Sequence, residues 1–344
     1  MRRTLLSILP LLLVACGRTA LVHTSVDPLV ADGGVSACQS RTLTPFPAVP
    51  SVLLVVDRSG SMAFDLAGHL GDFFGQPLEG PTRWEVLFSS LSTTLAAHEG
   101  DIAFGLSFFP GETSCGAPTS LELPPAPGNA QRVLARFGAP NGPGGGTPTF
   151  AALERAASFA RDVKARALVL VTDGEPNCNA ALDRTSCRCT APTVGFPPVC
   201  SDPENCSDVE RAVDGLRRLR VDDGLVTFVV GVGSSSNDTQ QALHNLAVAG
   251  GMPRAGAVAF YSGATAAELD EALEAISTRL ERCSWSTRMR LDEADVVTVS
   301  VGGEEVPVEG WRWSERSTGD FALRGAWCER AAHGAEVRVT VDCR

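Results

Sequence analysis

Basic residues are the minority charge in this chain: 29 Lys and Arg stand against 40 Asp and Glu, a formal net charge of −11. Nucleic-acid binding needs a basic face that displaces counterions from phosphates, so that class is excluded. The acids are scattered rather than blocked, which reads as a solvated surface suited to cations rather than to acidic partners. Catalytic groupings are also missing. The five histidines (His23, His69, His98, His244, His333) show no paired spacing and are assigned to the surface or to loops. No serine lies in a G-x-S-x-G turn, and no nucleophile-plus-base set stands out, so catalysis is not expected. No internal repeat is visible, and after the first 15 residues no apolar run is long enough to cross a bilayer.

What is present starts with eleven cysteines, too many for a reducing cytosol unless several hold a metal. Met1-Arg2-Arg3 is a basic start, followed by an apolar run from Thr4 to Ala15 that fits an export signal. The run ends Leu13-Val14-Ala15-Cys16, which resembles the bacterial lipobox. That resemblance implies cleavage before Cys16 and acylation of its thiol. Gly17 at the next position implies sorting towards the outer membrane of a Gram-negative envelope. Two or more acyl chains give stable attachment, at ~0.8 kcal/mol per buried CH2. Residues 16–48, mixed in Gly, Pro, Ser and Thr without periodicity, read as a tether. Cys38 suggests that the tether is pinned.

From Ser51 the texture changes. Hydrophobic residues make up 44% of the chain and charged residues 20%, enough for a well-buried core. Val52–Val56, Ala167–Val171 and Leu225–Val230 are uninterrupted apolar runs, as expected of parallel strands covered on both faces. Asp101–Phe109 and Ala257–Tyr261 are further strand candidates. Between them, Trp84, Leu87, Phe88, Leu91 and Leu95 keep helical spacing, as do the apolar residues of 209–219 and 269–280. Ser207 with Glu210, and Thr265 with Glu268, read as capping boxes. The alternation predicts an α/β fold with a doubly wound, mostly parallel sheet over residues 49–281. Residues 282–344 alternate strictly at Val297–Val301 and Val337–Val341. Gly302-Gly303 there is a two-residue hairpin signal, so the segment predicts a small antiparallel β module. Pro307 marks one of its strands as an edge.

Three separated segments carry oxygen-bearing side chains at predicted strand or helix ends. The first strand runs into Asp57-Arg58-Ser59-Gly60-Ser61, Thr147 follows Gly144-Gly145-Gly146, and the second long strand ends Thr172-Asp173-Gly174. Hydroxyls and carboxylates without sulfur or imidazole suit a hard cation. Both Asp fall at carboxyl ends of strands, where open α/β sheets place their ligand crevice. Each piece alone has a plainer explanation, as a turn, or as an N-cap Thr147 before Pro148. Together, across roughly residues 50–281, the set resembles the metal-ion-dependent adhesion site of von Willebrand factor type A (vWA) and integrin-type domains. The resemblance implies metal-dependent protein or surface-ligand binding. Asp57, Ser59, Ser61, Thr147 and Asp173 would hold Mg2+, with Mn2+ or Ca2+ as alternatives. In that family the hydroxyls coordinate directly, the two Asp act largely through waters, and one position is left for a partner's carboxylate. A haloacid-dehalogenase-like phosphotransferase would need a second acid where Ser59 stands. A dinucleotide site would need its glycines directly after the first strand.

Five cysteines (Cys178, Cys187, Cys189, Cys200, Cys206) crowd the segment after Asp173. Zinc is one reading, but a C-x2-C pair is missing and the compartment is oxidising, which favours disulfides. Setting Cys16 aside leaves ten cysteines, an even number. At least one of the five must pair outside its own segment, with Cys115 the favoured partner. Cys283, Cys328 and Cys343 are expected to staple the C-terminal module. Because the segment follows a site Asp, it is expected on the rim of the crevice, as a determinant of partner choice or as a clamp.

Overall fold

The computed structural model describes residues 40–69, 78, 80–138, 142–191, 193–233, 236–281 and 283–342. The export signal, Cys16, His23, Cys38 and Cys343 lie outside the described residues. Two short strands, β1 (Arg41–Leu43) and β2 (Phe46–Pro47), come first. There follow β3 (Ser51–Asp57), α1 (Arg83–His98), β4 (Ala103–Phe109), β5 (Leu123–Ala126), α2 (Ala130–Leu134), α3 (Thr149–Asp162) and β6 (Ala167–Thr172). The cysteine-rich segment carries β7 (Thr193–Val194) and β8 (Val199–Cys200). After it run α4 (Val209–Asp222), β9 (Val226–Gly231), α5 (Asn237–Gly250), β10 (Tyr261–Ser262) and α6 (Ala266–Glu281). The C-terminal part holds β11 (Ser284–Ser286), β12 (Val296–Val301), β13 (Glu304–Glu305), β14 (Trp311–Glu315), β15 (Asp320–Leu323), α7 (Gly325–Ala332) and β16 (Val337–Asp342).

The central sheet has the order β10-β9-β6-β3-β4-β5, parallel throughout except for the edge strand β5. Alternate residues of β3 bury on opposite faces, as the period of two demands. Val52, Leu54 and Val56 pack with Leu87 and Leu91 of α1 and with Leu273 and Ile276 of α6. Leu53 and Val55 pack with Leu153 of α3, Leu216 of α4 and Leu246 of α5. Helices on both faces explain why the strand runs are apolar without interruption. Each large side chain so buried contributes about 1.5–3 kcal/mol. In chain order the sheet winds outward from β3 in one direction through β4 and in the other through β6. The crevice beyond the carboxyl ends of β3 and β6 is therefore the topological switch point. Asp57 ends β3, and Asp173 follows the last residue of β6.

Thr265 and Glu268 do cap α6: Glu268 N donates to Thr265 Oγ1 at 3.2 Å. The box expected at Ser207 does not form. Helix α4 starts at Val209 behind Asp208, while Ser207 Oγ donates to Glu175 Oε2 at 3.2 Å and accepts from Arg188 Nη2 at 3.1 Å. Charged partners outcompete a backbone N–H for that hydroxyl. The strand expected over Ala257–Tyr261 is formed only at Tyr261–Ser262, because Arg254 N closes a turn onto Ala259 O at 2.7 Å. His98 is not a surface residue. It is buried in α1, with Nε2 2.8 Å from Asp270 Oδ1 of α6.

The C-terminal strands form two antiparallel sheets, β1-β16-β12-β13 and β14-β15-β11-β2. Strands β12 and β13 turn at Gly302-Gly303, with Val301 opposite Glu304. Val299, Val301, Val337, Val339 and Val341 face one core with Phe321 and Leu323. Residues 41–47, placed in the tether by their composition, pair instead with these sheets: Arg41 lies opposite Val341, and Phe46 opposite Ser286. Strands of three and two residues are too short to show alternation in sequence.

Among the described residues there are four disulfides: Cys115–Cys178, Cys187–Cys206, Cys189–Cys200 and Cys283–Cys328. With Cys16 set aside for acylation, Cys38 and Cys343 remain, and they flank the paired residues Arg41 and Val341 in sequence. A non-reducing peptide map of the exported protein is expected to recover these two cysteines joined. Two free thiols would contradict that expectation.

Candidate metal centre

The turn after β3 brings its side chains back over the strand end. Asp57 Oδ1 accepts from Ser59 N at 2.7 Å, which fixes the turn, and Oδ2 accepts from Thr172 Oγ1 at 2.5 Å. Ser59 Oγ and Ser61 Oγ lie 3.1 Å apart, and Ser61 Oγ donates to Asp173 Oδ1 at 2.8 Å. Thr147 enters from the side: a Cβ placed on Gly174 would lie 3.6 Å from Ser61 Oγ and 4.0 Å from Thr147 Oγ1. The five side chains from three segments thus meet at one place. Asp57, Ser59, Thr147 and Asp173 are buried there, and Ser61 is half-buried.

Thr147 is not the cap of α3. The helix begins at Thr149 behind Pro148, and no side chain caps it. Thr147 is held by its backbone instead, its N donating to Asn177 Oδ1 at 2.7 Å while Asn177 N donates to Thr147 O at 2.9 Å. The glycine loop before it is pinned on both sides: Gly144 N donates to Arg58 O at 2.7 Å, and Gly60 N to Gly145 O at 2.9 Å. Gly146 has to be glycine, because a Cβ there would sit 2.5 Å from Cys178 Sγ and 3.3 Å from Cys115 Sγ. The Cys115–Cys178 bridge therefore packs directly on the loop that presents Thr147, which puts the start of the cysteine-rich segment at the site's rim.

Two buried carboxylates face each other across this site. Asp57 is pushed up from 3.8 to about 7, first by burial and then by the charge of Asp173. Burial also raises Asp173, opposed by Arg83. Arg83, in the first turn of α1, donates Nη1 to Asp173 Oδ2 at 2.6 Å and Nε to Asp65 O at 3.2 Å. It turns Asp173 so that Oδ1 faces Ser61. Sequence periodicity gives Arg83 no distinction, because only the fold carries the start of α1 to the end of β6. Thr172, likewise unflagged, is the last residue of the strand whose next residue is Asp173. Arg83→Lys keeps the charge but loses the fork, so it is expected to cost about 1 kcal/mol through the contact with Asp65. Urea unfolding at neutral pH measures that loss.

With both Asp ionised and one guanidinium beside them, the site carries a residual negative charge among oxygen donors only. A hard divalent cation fits that donor set and charge. The sulfurs of Cys187, Cys200 and Cys206 also cluster, within 4.8 Å of one another. They belong to two adjacent disulfides and offer no thiolate for zinc.

No family model matches the chain, and no curated protein matches it. Among solved structures it is similar to the PilB minor pilin from Streptococcus sanguinis, at 15% identity and a TM-score of 0.47, over 68% of this chain and 61% of that one. It is also similar to the vWF domain of the type V pili tip protein Mfa5 from Porphyromonas gingivalis, at 12% identity and a TM-score of 0.44, over 67% of this chain and 95% of that one. A third is the manganese-loaded TRAP protein of Plasmodium vivax, at 16% identity and a TM-score of 0.40, over 69% and 75%. The chain spans less than two thirds of the pilin's length, 61%.

Proposed function

We propose that this is a lipid-anchored envelope protein, attached through Cys16, whose vWA-type domain binds a protein or a carboxylate-bearing surface ligand through a divalent cation. Asp57, Ser59, Ser61, Thr147 and Asp173 would hold the ion, with Mg2+ the first candidate. The observation that carries this reading is the meeting of Ser61, Asp173 and Thr147 around Gly174, at the switch point of the sheet. Ser61, the most exposed of the five, donates to Asp173, and the buried carboxylates are engaged by Thr172 and Arg83. A bound divalent cation would balance the paired carboxylates and present a Lewis-acidic position to an incoming anionic oxygen. The chain's own part is to fix the donors: the backbone of Ser59 orients Asp57, Arg83 orients Asp173, and Asn177 orients Thr147. Among the described residues no helix is long and apolar enough to cross a membrane, so membrane attachment rests on the anchor in this reading.

The test is capture of envelope components by the exported protein in Mg2+ and in chelator. Retention in Mg2+ and release by chelator is the expected result. If chelator lowers only the melting temperature and leaves every interaction unchanged, the ion is a structural element and the adhesive reading fails.

A further inference from the structure

A second constellation lies at the other end of the central sheet. Arg166 precedes β6, and Gly224 stands two residues before β9. Arg166, Arg220, Arg279, Arg312 and Arg324 line one cavity of about 660 Å3 between these strand starts and the C-terminal sheets. In a chain of net charge −11 such a gathering of like charge is costly. Asp222 and Glu329 also line the cavity, yet neither makes an ion pair with these arginines among the described residues. Asp320 faces Arg166 and favours its charge, against burial and the repulsion of Arg312 and Arg324, which together pull Arg166 down to about 9.

The hydrogen bonds show which donors are left over. Arg312 is anchored, donating Nη1 to Asp223 O at 3.1 Å and Nη2 to Gly224 O at 3.3 Å. Arg166 donates Nη1 to Ser314 Oγ, but its buried Nε has no acceptor. Arg324 is exposed at the cavity mouth, and its guanidinium makes no hydrogen bond or ion pair among the described residues. Its Nη2 and Arg312 Nη1 nevertheless converge, at 3.4 and 3.1 Å from the Cβ position of Gly224. The unbonded guanidinium of Arg324, the N–H groups Arg312 has left beyond its two carbonyl bonds and the unpaired N–H of Arg166, all lining one cavity, offer donors suited to the oxygens of a tetrahedral anion. Leu280, Leu323 and Met252 give the same cavity an apolar wall.

The geometry points to a phosphate-type oxyanion site here, taking either free phosphate or the phosphodiester headgroup of a lipid. It is independent of the metal centre, so the experiment is done in chelator. The exported chain carrying Cys16→Ser, and the same chain with Arg324→Gln, are titrated with inorganic phosphate at fixed ionic strength by calorimetry. Both are also floated with phosphatidylglycerol vesicles and with phosphatidylcholine vesicles. The expected result is saturable binding of phosphate, or of phosphatidylglycerol vesicles alone, weakened roughly tenfold or more by Arg324→Gln through loss of a charge-assisted donor. Phosphate binding assigns the free anion, and vesicle binding without phosphate binding assigns the headgroup. Arg324→Gln is also expected to melt no lower than its parent in phosphate-free buffer, since it relieves repulsion and breaks no contact. Absence of both kinds of binding, or equal binding by the variant, overturns the proposal.

Discussion

Asp57→Asn is expected to abolish the rise in melting temperature that Mg2+ gives the parent protein, while making the metal-free protein more stable at pH 8. The folded pKa of Asp57, about 7, lies above its ordinary value of 3.8. This group therefore favours the fold fully below pH 3.8 and opposes it increasingly as pH rises through about 7. A shift of about three units corresponds to roughly 4 kcal/mol at pH 8, an upper figure for what the neutral amide recovers. Asparagine is nearly isosteric, and its oxygen can still accept from Ser59 N. The hydroxyl of Thr172 can turn to accept from the amide. In the parent protein a divalent cation would offset much of this effect, adding about 2.7 kcal/mol at one hundred times its dissociation constant. Mg2+ should therefore raise the parent's melting temperature strongly at pH 8 and weakly at pH 5, where protons hold the site. Calorimetric melts at the two pH values, with Mg2+ or EDTA, decide this. A variant that still responds to Mg2+ would remove Asp57 from the site.

Replacing Cys115 and Cys178 together by serine should be strongly destabilising. That bridge spans 63 residues, and the chain-entropy relation gives about 4 kcal/mol for a loop of this size. It should also blunt the response to Mg2+, because the bridge packs on Gly146 and lies beside Asn177, which together set the position of Thr147. Removing Cys189–Cys200, which spans 11 residues, should cost about 3 kcal/mol and leave the metal response intact. Urea unfolding with and without Mg2+ separates the two effects. Equal metal responses in both double variants would show that the Cys115–Cys178 bridge is only a clamp.

The central sheet was legible because both of its faces are covered: strands such as β3 and β6 carry no polar interruption, and α1, α4 and α6 keep a helical stripe. Strands β1 and β2 were not, since three and two residues cannot display a period, and their partners lie some 240 to 300 positions away. The five candidate ligands were legible through their resemblance to the adhesion-site pattern, which the placing of both Asp at strand ends supports. Their supports could not, because Arg83 reaches Asp173 across 90 residues and Thr172 reaches Asp57 across 115. The failed cap at Ser207 has the same origin: local propensity proposed a bond that Glu175 and Arg188 then outbid. The arginine cavity likewise has no signature in sequence, as its members come from five separate stretches of chain.

Soaking crystals of the exported protein with Mn2+ and recording anomalous scattering locates the ion. One strong peak is expected within bonding distance of Ser59 Oγ, Ser61 Oγ and Thr147 Oγ1. A well-occupied peak elsewhere, or none beside these hydroxyls at saturating Mn2+, would contradict it.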